Sequence, residues 1–127
     1  MDKIFLFDLA SRHADWASVR QATIAANIAN ANTPAYRAAD VEPFAKVLDS
    51  THLTPMRTSS GHLALGASEA ASAKVSDADS WEVSESGNTV SLDQQMVKAA
   101  ETSGAFTLNT SVVRAFHRMV LASVRNA

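Results

Sequence analysis

The chain has 127 residues, a net charge of −2, 46% hydrophobic residues and only 6% aromatics. That length holds one domain, and the slightly acidic balance gives nucleic acid or anionic lipid nothing to recognise. The absence of cysteine removes disulfides, thiolate catalysis and cysteine-based metal sites.

Much of the hydrophobic content is alanine, which buries little area per residue, so a compact independent core would be thin. Long helices that bury their stripes against a partner suit such a composition better. No apolar run approaches the ~20 residues of a transmembrane helix. The start, MDKIFLFDLASRHAD, lacks the basic opening and clean apolar core of a secretory signal. Any export would therefore use a route that does not cleave such a peptide.

The first predicted element is a helix over roughly Asp2–Ala31. Apolar or small residues recur near heptad spacing at Leu6, Leu9, Trp16, Val19, Thr23 and Ala26. At ~1.5 Å per residue this rod is about 45 Å long, more than a small globule needs. It closes in the stretch AANIANANTPAYRA (Ala25–Ala38), which gathers Asn27, Asn30 and Asn32 before Thr33-Pro34. Pro34 biases Thr33 away from the α region and ends the helix by about Ala31 or Asn32. Asparagine competes with the helix backbone for hydrogen bonds. The stretch therefore reads either as a packed junction or as a fraying helix end. Asn27 and Asn30 share a face with Thr23, on the side of the apolar seam, where buried amides would fix register and partner identity.

The middle, residues 34–88, is loop-rich. Pro43 precedes a short apolar set at Phe44, Val47 and Leu48. A turn-rich region follows, with the small, acidic run GASEAASAKVSDADS reading as mobile loop. Two strand-like pieces, Leu63–Leu65 and Trp81–Val83, are candidates to pair as a small β-hairpin.

The last segment, 89–127, predicts a second long helix from about Ser91. Ser91 is its N-cap, Asp93 a first-turn acid, and Gln94 a capping-box partner. A stripe at Leu92, Met96, Ala99, Ser103, Phe106, Thr110, Val113, His117, Val120 and Val124 alternates steps of four and three. That is a coiled-coil seam with polar interruptions, and Val97, Leu108, Val112, Phe116 and Met119 widen it. The expected fold is thus mainly α. Long N- and C-terminal helices (1–33 and 89–127) pair as a coiled-coil-like hairpin around a loop-rich middle. Two helices alone leave their outer faces unsupported, so a free monomer would be marginal.

Candidate chemistry is sparse. His13, His52, His62 and His117 form no metal-binding spacing, and His117 reads as a buried or interface residue on the seam. Ser59-Ser60-Gly61-His62 lacks an orienting acid, and no phosphate-binding glycine loop is present. The sequence predicts no catalytic residue, cofactor, metal, nucleic acid or small-molecule substrate.

Asn27-Ile28-Ala29-Asn30-Ala31-Asn32-Thr33-Pro34-Ala35-Tyr36-Arg37 resembles the N-terminal signature of the flagellar basal-body rod family, and every position matches. Arg57–Leu63 and Gly87–Asp93 resemble segments of the proximal rod members in particular. A paralogous rod subunit and a non-flagellar helical adaptor are the alternatives. The resemblance implies a structural subunit of the proximal rod that polymerises through its terminal helices into the shaft carrying torque from motor to hook. It implies export by the flagellar type III apparatus and residence in the periplasmic rod of the basal body. Implied partners are other copies of the chain, other rod proteins, the rod-base export-gate adaptor and the export gate. Implied assembly residues are the motif positions Asn27, Ile28, Ala29, Asn30, Asn32, Thr33, Pro34, Tyr36 and Arg37. The seam residues Leu9, Trp16, Val19, Leu92, Met96, Phe106, Val113 and Val120 complete that set. Phe44 and Leu48 resemble the pattern that flagellar substrates present to the export gate, and a plain amphipathic helix turn explains them as well.

Overall fold

Two long helices, packed antiparallel, carry the chain in a computed structural model that describes residues 5–51 and 74–125. Helix α1 (Phe5–Ala29) is followed by strand β1 (Ala39–Val41), helix α2 (Phe44–Thr51), strand β2 (Val75–Asp77) and helix α3 (Leu92–Arg125). The mainly helical hairpin predicted by periodicity is the fold observed.

Helix α1 ends near its predicted place. Its last turns tighten, with Asn30 N–H donating to the carbonyls of Ala26 (3.2 Å) and Asn27 (3.1 Å) and Ala31 N–H to Ile28 (3.2 Å). Pro34 then bars continuation. Ser91 Oγ lies 3.5 Å from Gln94 N at the start of α3, as an N-cap should. Gln94 does not complete a capping box. Its Nε2 donates instead to the carbonyl of Asp79 at 2.9 Å, tying the preceding loop to the helix.

The small sheet uses different residues from those expected. β1 and β2 pair antiparallel with Ala39 opposite Asp77, Asp40 opposite Ser76 and Val41 opposite Val75. Trp81–Val83 is loop rather than strand, and Leu63–Leu65 lies outside the described residues. The physical reason is that side chains of α1 hold the backbone around β1. Trp16 Nε1 donates to the Glu42 carbonyl at 2.8 Å, and Asn27 grips Ala39. Trp16, Ala17 and Val41 form the core beneath, with Phe44 and Val47 packed against it.

The two long helices meet along a line that the apolar stripe does not predict. Asn27 faces Gln95, Asn109 Nδ2 donates to the Ala10 carbonyl at 2.9 Å, and the rings of Phe7 and Phe116 meet edge-on at 5.7 Å. The buried residues of α3 are Gln94, Gln95 and Thr102, all polar. The expected seam residues Leu92, Met96 and Phe106 point outward at 51%, 67% and 49% exposure. Between these helices the pairing therefore runs on the neighbouring, more polar line. Polar residues are tolerated there because each amide makes at least one hydrogen bond, while Gln95 Nε2 and Gln94 Oε1 are buried without a partner.

Candidate functional site

The junction behind α1 is built around Asn27, whose side chain is fully buried. Its Nδ2 donates to the Ala39 carbonyl at 2.7 Å and to Gln95 Oε1 at 3.0 Å. Its Oδ1 accepts from Ala39 N–H at 3.0 Å and from the Tyr36 hydroxyl at 3.4 Å. One amide thus binds the start of β1 as a neighbouring strand would, and joins it to α3. All the hydrogen-bonding capacity of the amide is used.

A second amide closes the junction from the other side. Asn88 Nδ2 lies 2.9, 3.0 and 2.7 Å from the carbonyl oxygens of Asn30, Ala31 and Thr33. These carbonyls belong to the turn that follows α1, and those of Asn30 and Thr33 also accept the N–H groups of Thr33 and Tyr36, so Asn88 fastens that turn from more than fifty residues further along the chain. Its Oδ1 accepts from Val90 N–H at 2.7 Å, which fixes the turn into α3. Thr89 Oγ1 accepts from Ala38 N–H at 2.8 Å, and Thr89 N–H donates to the Tyr36 carbonyl at 3.0 Å. Gly87 adopts φ +78° here, a conformation glycine takes without steric cost. Ala35 also has positive φ, 57°, and is held by its N–H donating to the Ser86 carbonyl at 3.0 Å.

A charged cluster borders the amides. Asp40 receives Lys98 Nζ at 2.8 Å and Arg20 Nε at 3.3 Å, and Arg20 reaches Glu101 at 3.7 Å. The Arg20 guanidinium also lies 5.5 Å from the centre of the Trp16 ring. Burial alone raises the pKa of Asp40. The Lys98 hydrogen bond, the Val41 N–H and the charges of Lys98 and Arg20 outweigh it and hold the carboxyl below its ordinary value. His13 lies in an apolar corner, edge-on to Phe44 at 4.9 Å, and burial lowers its pKa.

The structure separates the motif residues into two groups. Asn27 is buried and Tyr36 half-buried in the junction, while Ile28, Ala29, Asn32, Thr33, Pro34 and Arg37 face outward. Asn30 is half-buried and bonds to its own helix, with Nδ2 2.9 Å from the Ala26 carbonyl. Arg37 pairs with Asp77 at 3.4 Å on the surface. Among the seam positions, Trp16 is buried, Leu9, Val113 and Val120 are half-buried, and Val19 is exposed. His117 is exposed rather than buried within the chain. Phe44 and Leu48 are half-buried, with the Phe44 ring against Trp16 and His13.

Sequence reasoning missed Asn88, Gln95, Thr89 and the Asp40–Lys98 pair. Asn88 and Thr89 stand in the Gly87–Asp93 segment, but nothing local announces partners so distant in the chain. Two open grooves flank the helix pair. One has a floor of Ala17, Ala22 and Ala25 and a wall at Phe106. The other is lined by Leu6, Leu9, Phe44, Leu108 and Val112. Among the described residues no three His, Cys, Asp or Glu side chains converge as a metal site requires. No described helix is long and apolar enough to cross a membrane. What the arrangement can do is join the two ends of the chain and leave the outer faces of its helices available.

Known proteins resemble this chain over the junction and beyond it. The family described as flagella basal body rod protein matches residues 16–37, the second half of α1 and the amide motif. Flagellar basal body rod protein FlgB of Agrobacterium fabrum is 43% identical over 129 residues, covering 98% of this chain and 96% of that protein. An identity of that level over nearly the full length of both chains means that this chain belongs to the flagellar basal-body rod protein family.

Proposed function

We propose that the chain is a proximal rod subunit that polymerises through its terminal helices and carries torque from motor to hook. Membership of the family gives it a structural role in the basal-body rod, alongside other rod components, in a family that is not a class of enzymes. The observation that carries the finer reading is the outward face of α3. Met96, Leu108, Met119 and Val124 are exposed at 67%, 66%, 61% and 70%, next to the two apolar grooves. A soluble monomer rarely leaves so many large apolar side chains of one helix in water, whereas packed copies bury them. In this reading the stripe predicted from sequence is a seam between subunits, and the amide junction holds each subunit's helices in register to present it.

Export by the flagellar type III route, without a cleaved signal, belongs to the same reading. So do contacts with the export gate and the rod-base adaptor, and residence in the periplasmic rod. The Phe44–Leu48 pattern is half-buried in the folded chain, so an export gate would meet it fully only before folding.

The test is a Met96→Asp, Phe106→Asp double substitution in the native host. Both side chains are exposed, so helicity and thermal stability of the purified chain should be preserved. Swimming and the recovery of rods should be lost. Normal motility with the double variant incorporated at wild-type levels would overturn the proposal.

A further inference from the structure

The two ends of α3 differ in charge and in what they display. At ~1.5 Å per residue, the 34 residues of α3 separate those ends by about 50 Å. Around its start, Asp77, Asp79, Glu82, Glu85 and Asp93 occur with no lysine or arginine between Lys74 and Lys98. Amid these acids, Trp81 and Val83 stand 68% and 64% exposed. The loop that carries them is fastened at several points. Ser80 Oγ donates to the carbonyls of Glu82 and Thr89, Ser84 N–H donates to the Asn88 carbonyl at 2.9 Å, and Gln94 Nε2 holds Asp79. A large aromatic presented by a fastened loop loses little conformational freedom on docking.

The other end is the complement. After Glu101 the sequence has no acidic residue, while Arg114, Arg118 and Arg125 are all exposed. With Leu121, 52% exposed, they occupy positions i, i+4, i+7 and i+11, one line along α3. That line lies away from Asn109 and Phe116, which face α1. Among the described residues none of the three arginines meets a carboxylate.

Resting on the assembly reading above, we propose that the Trp81–Val83 loop of one copy seats on the Arg114–Arg118–Leu121–Arg125 line of the next copy. Trp81 then lies against Leu121 and a guanidinium face, and Glu82 and Glu85 meet the remaining arginines. One α3 cannot bring its own two ends together, so the contact joins different patches on successive copies. Such a heterologous contact gives the assembly a direction, and it builds an open polymer wherever its rotation does not close a ring. This sets the head-to-tail contact between subunits, separately from the lateral packing of helix faces.

The absence of cysteine allows a direct test. Val83→Cys and Ala122→Cys chains are co-expressed in the native host in place of the wild type, and isolated basal bodies are oxidised. A disulfide joining the two variants is expected. Charge reversal at either end alone, Glu82→Lys with Glu85→Lys or Arg114→Glu with Arg118→Glu, should lower incorporation by about tenfold. All four substitutions in one chain should restore it to within about twofold. Basal bodies that contain both cysteine chains but no mixed disulfide would overturn this contact and leave the rod assignment standing. Single reversals without effect would do the same, as would a Val83→Cys chain linked only to itself. A chain absent from basal bodies even as wild type would overturn the rod assignment, and this contact with it.

Discussion

Replacing Asn27 by leucine separates a pattern-based view of the seam from the structural one. By pattern, leucine improves an apolar stripe and should stabilise the helix pair. In the structure, the substitution leaves the Ala39 N–H, the Ala39 carbonyl and Gln95 Oε1 without partners at a position with 0% exposure. At about 1–2 kcal/mol for each unsatisfied neutral group, the lower part of the usual ~1–3 kcal/mol, the three together cost about 3–6 kcal/mol. The longer Tyr36 contact adds little, because a half-buried hydroxyl can turn to water. Burying leucine returns about 1–2 kcal/mol. The net loss is about 1–5 kcal/mol, against the ~5–15 kcal/mol that holds a typical domain folded. Urea unfolding of the purified chain, followed by helical circular dichroism, measures it. With a slope near ~1.5 kcal/mol/M, the midpoint should fall by roughly 2 M. Asn30→Leu is the control. Asn30 bonds to its own helix, so its loss should cost under about 1 kcal/mol. An Asn27→Leu chain as stable as wild type, or an Asn30→Leu chain equally damaged, would refute the reasoning.

Asn88→Ala should destabilise by about 1–3 kcal/mol, because it removes the amide that holds the carbonyls of Asn30, Ala31 and Thr33 together behind α1. Amide exchange should quicken at Asn30 and Ala31 before it does at the middle of α1, and unchanged exchange there would count against that role. Asp40 has a pH signature. Its folded pKa lies below the unfolded value, so its contribution is present above the carboxylate range and is lost as pH falls through the folded pKa. The stability gap between wild type and Asp40→Asn should therefore be widest near neutrality and close on acidification. A gap independent of pH would mean that the Lys98 and Arg20 contacts do not favour the ionised form.

The extent of both long helices was legible in the sequence, because the signals that set it are local. Pro34 stops α1 within a few residues, Ser91 caps α3, and the intervening glycines and prolines forbid a continuous rod. The family motif was legible too, including the suspicion that Asn27 is buried. Its partner was not. A side-chain amide can satisfy itself on any backbone that folding brings near, and here that backbone is Ala39, twelve residues on, with Gln95 across from it. The same limit explains the misplaced sheet: β1 exists because Trp16 and Asn27 hold its ends, not because its three residues favour a strand.

By itself the sequence determined that apolar residues recur along α3 with helical spacing, and so share a face. Only the tertiary structure decided which element covers that face. Within one chain α1 covers the neighbouring line, where Gln95, Thr102 and Asn109 lie, because the two amides pair with α1 and the Thr102 hydroxyl bonds back to the Lys98 carbonyl of its own helix. Most of the apolar line remains exposed, since periodicity records that a surface is to be buried and is silent about whether the partner is the same chain or the next.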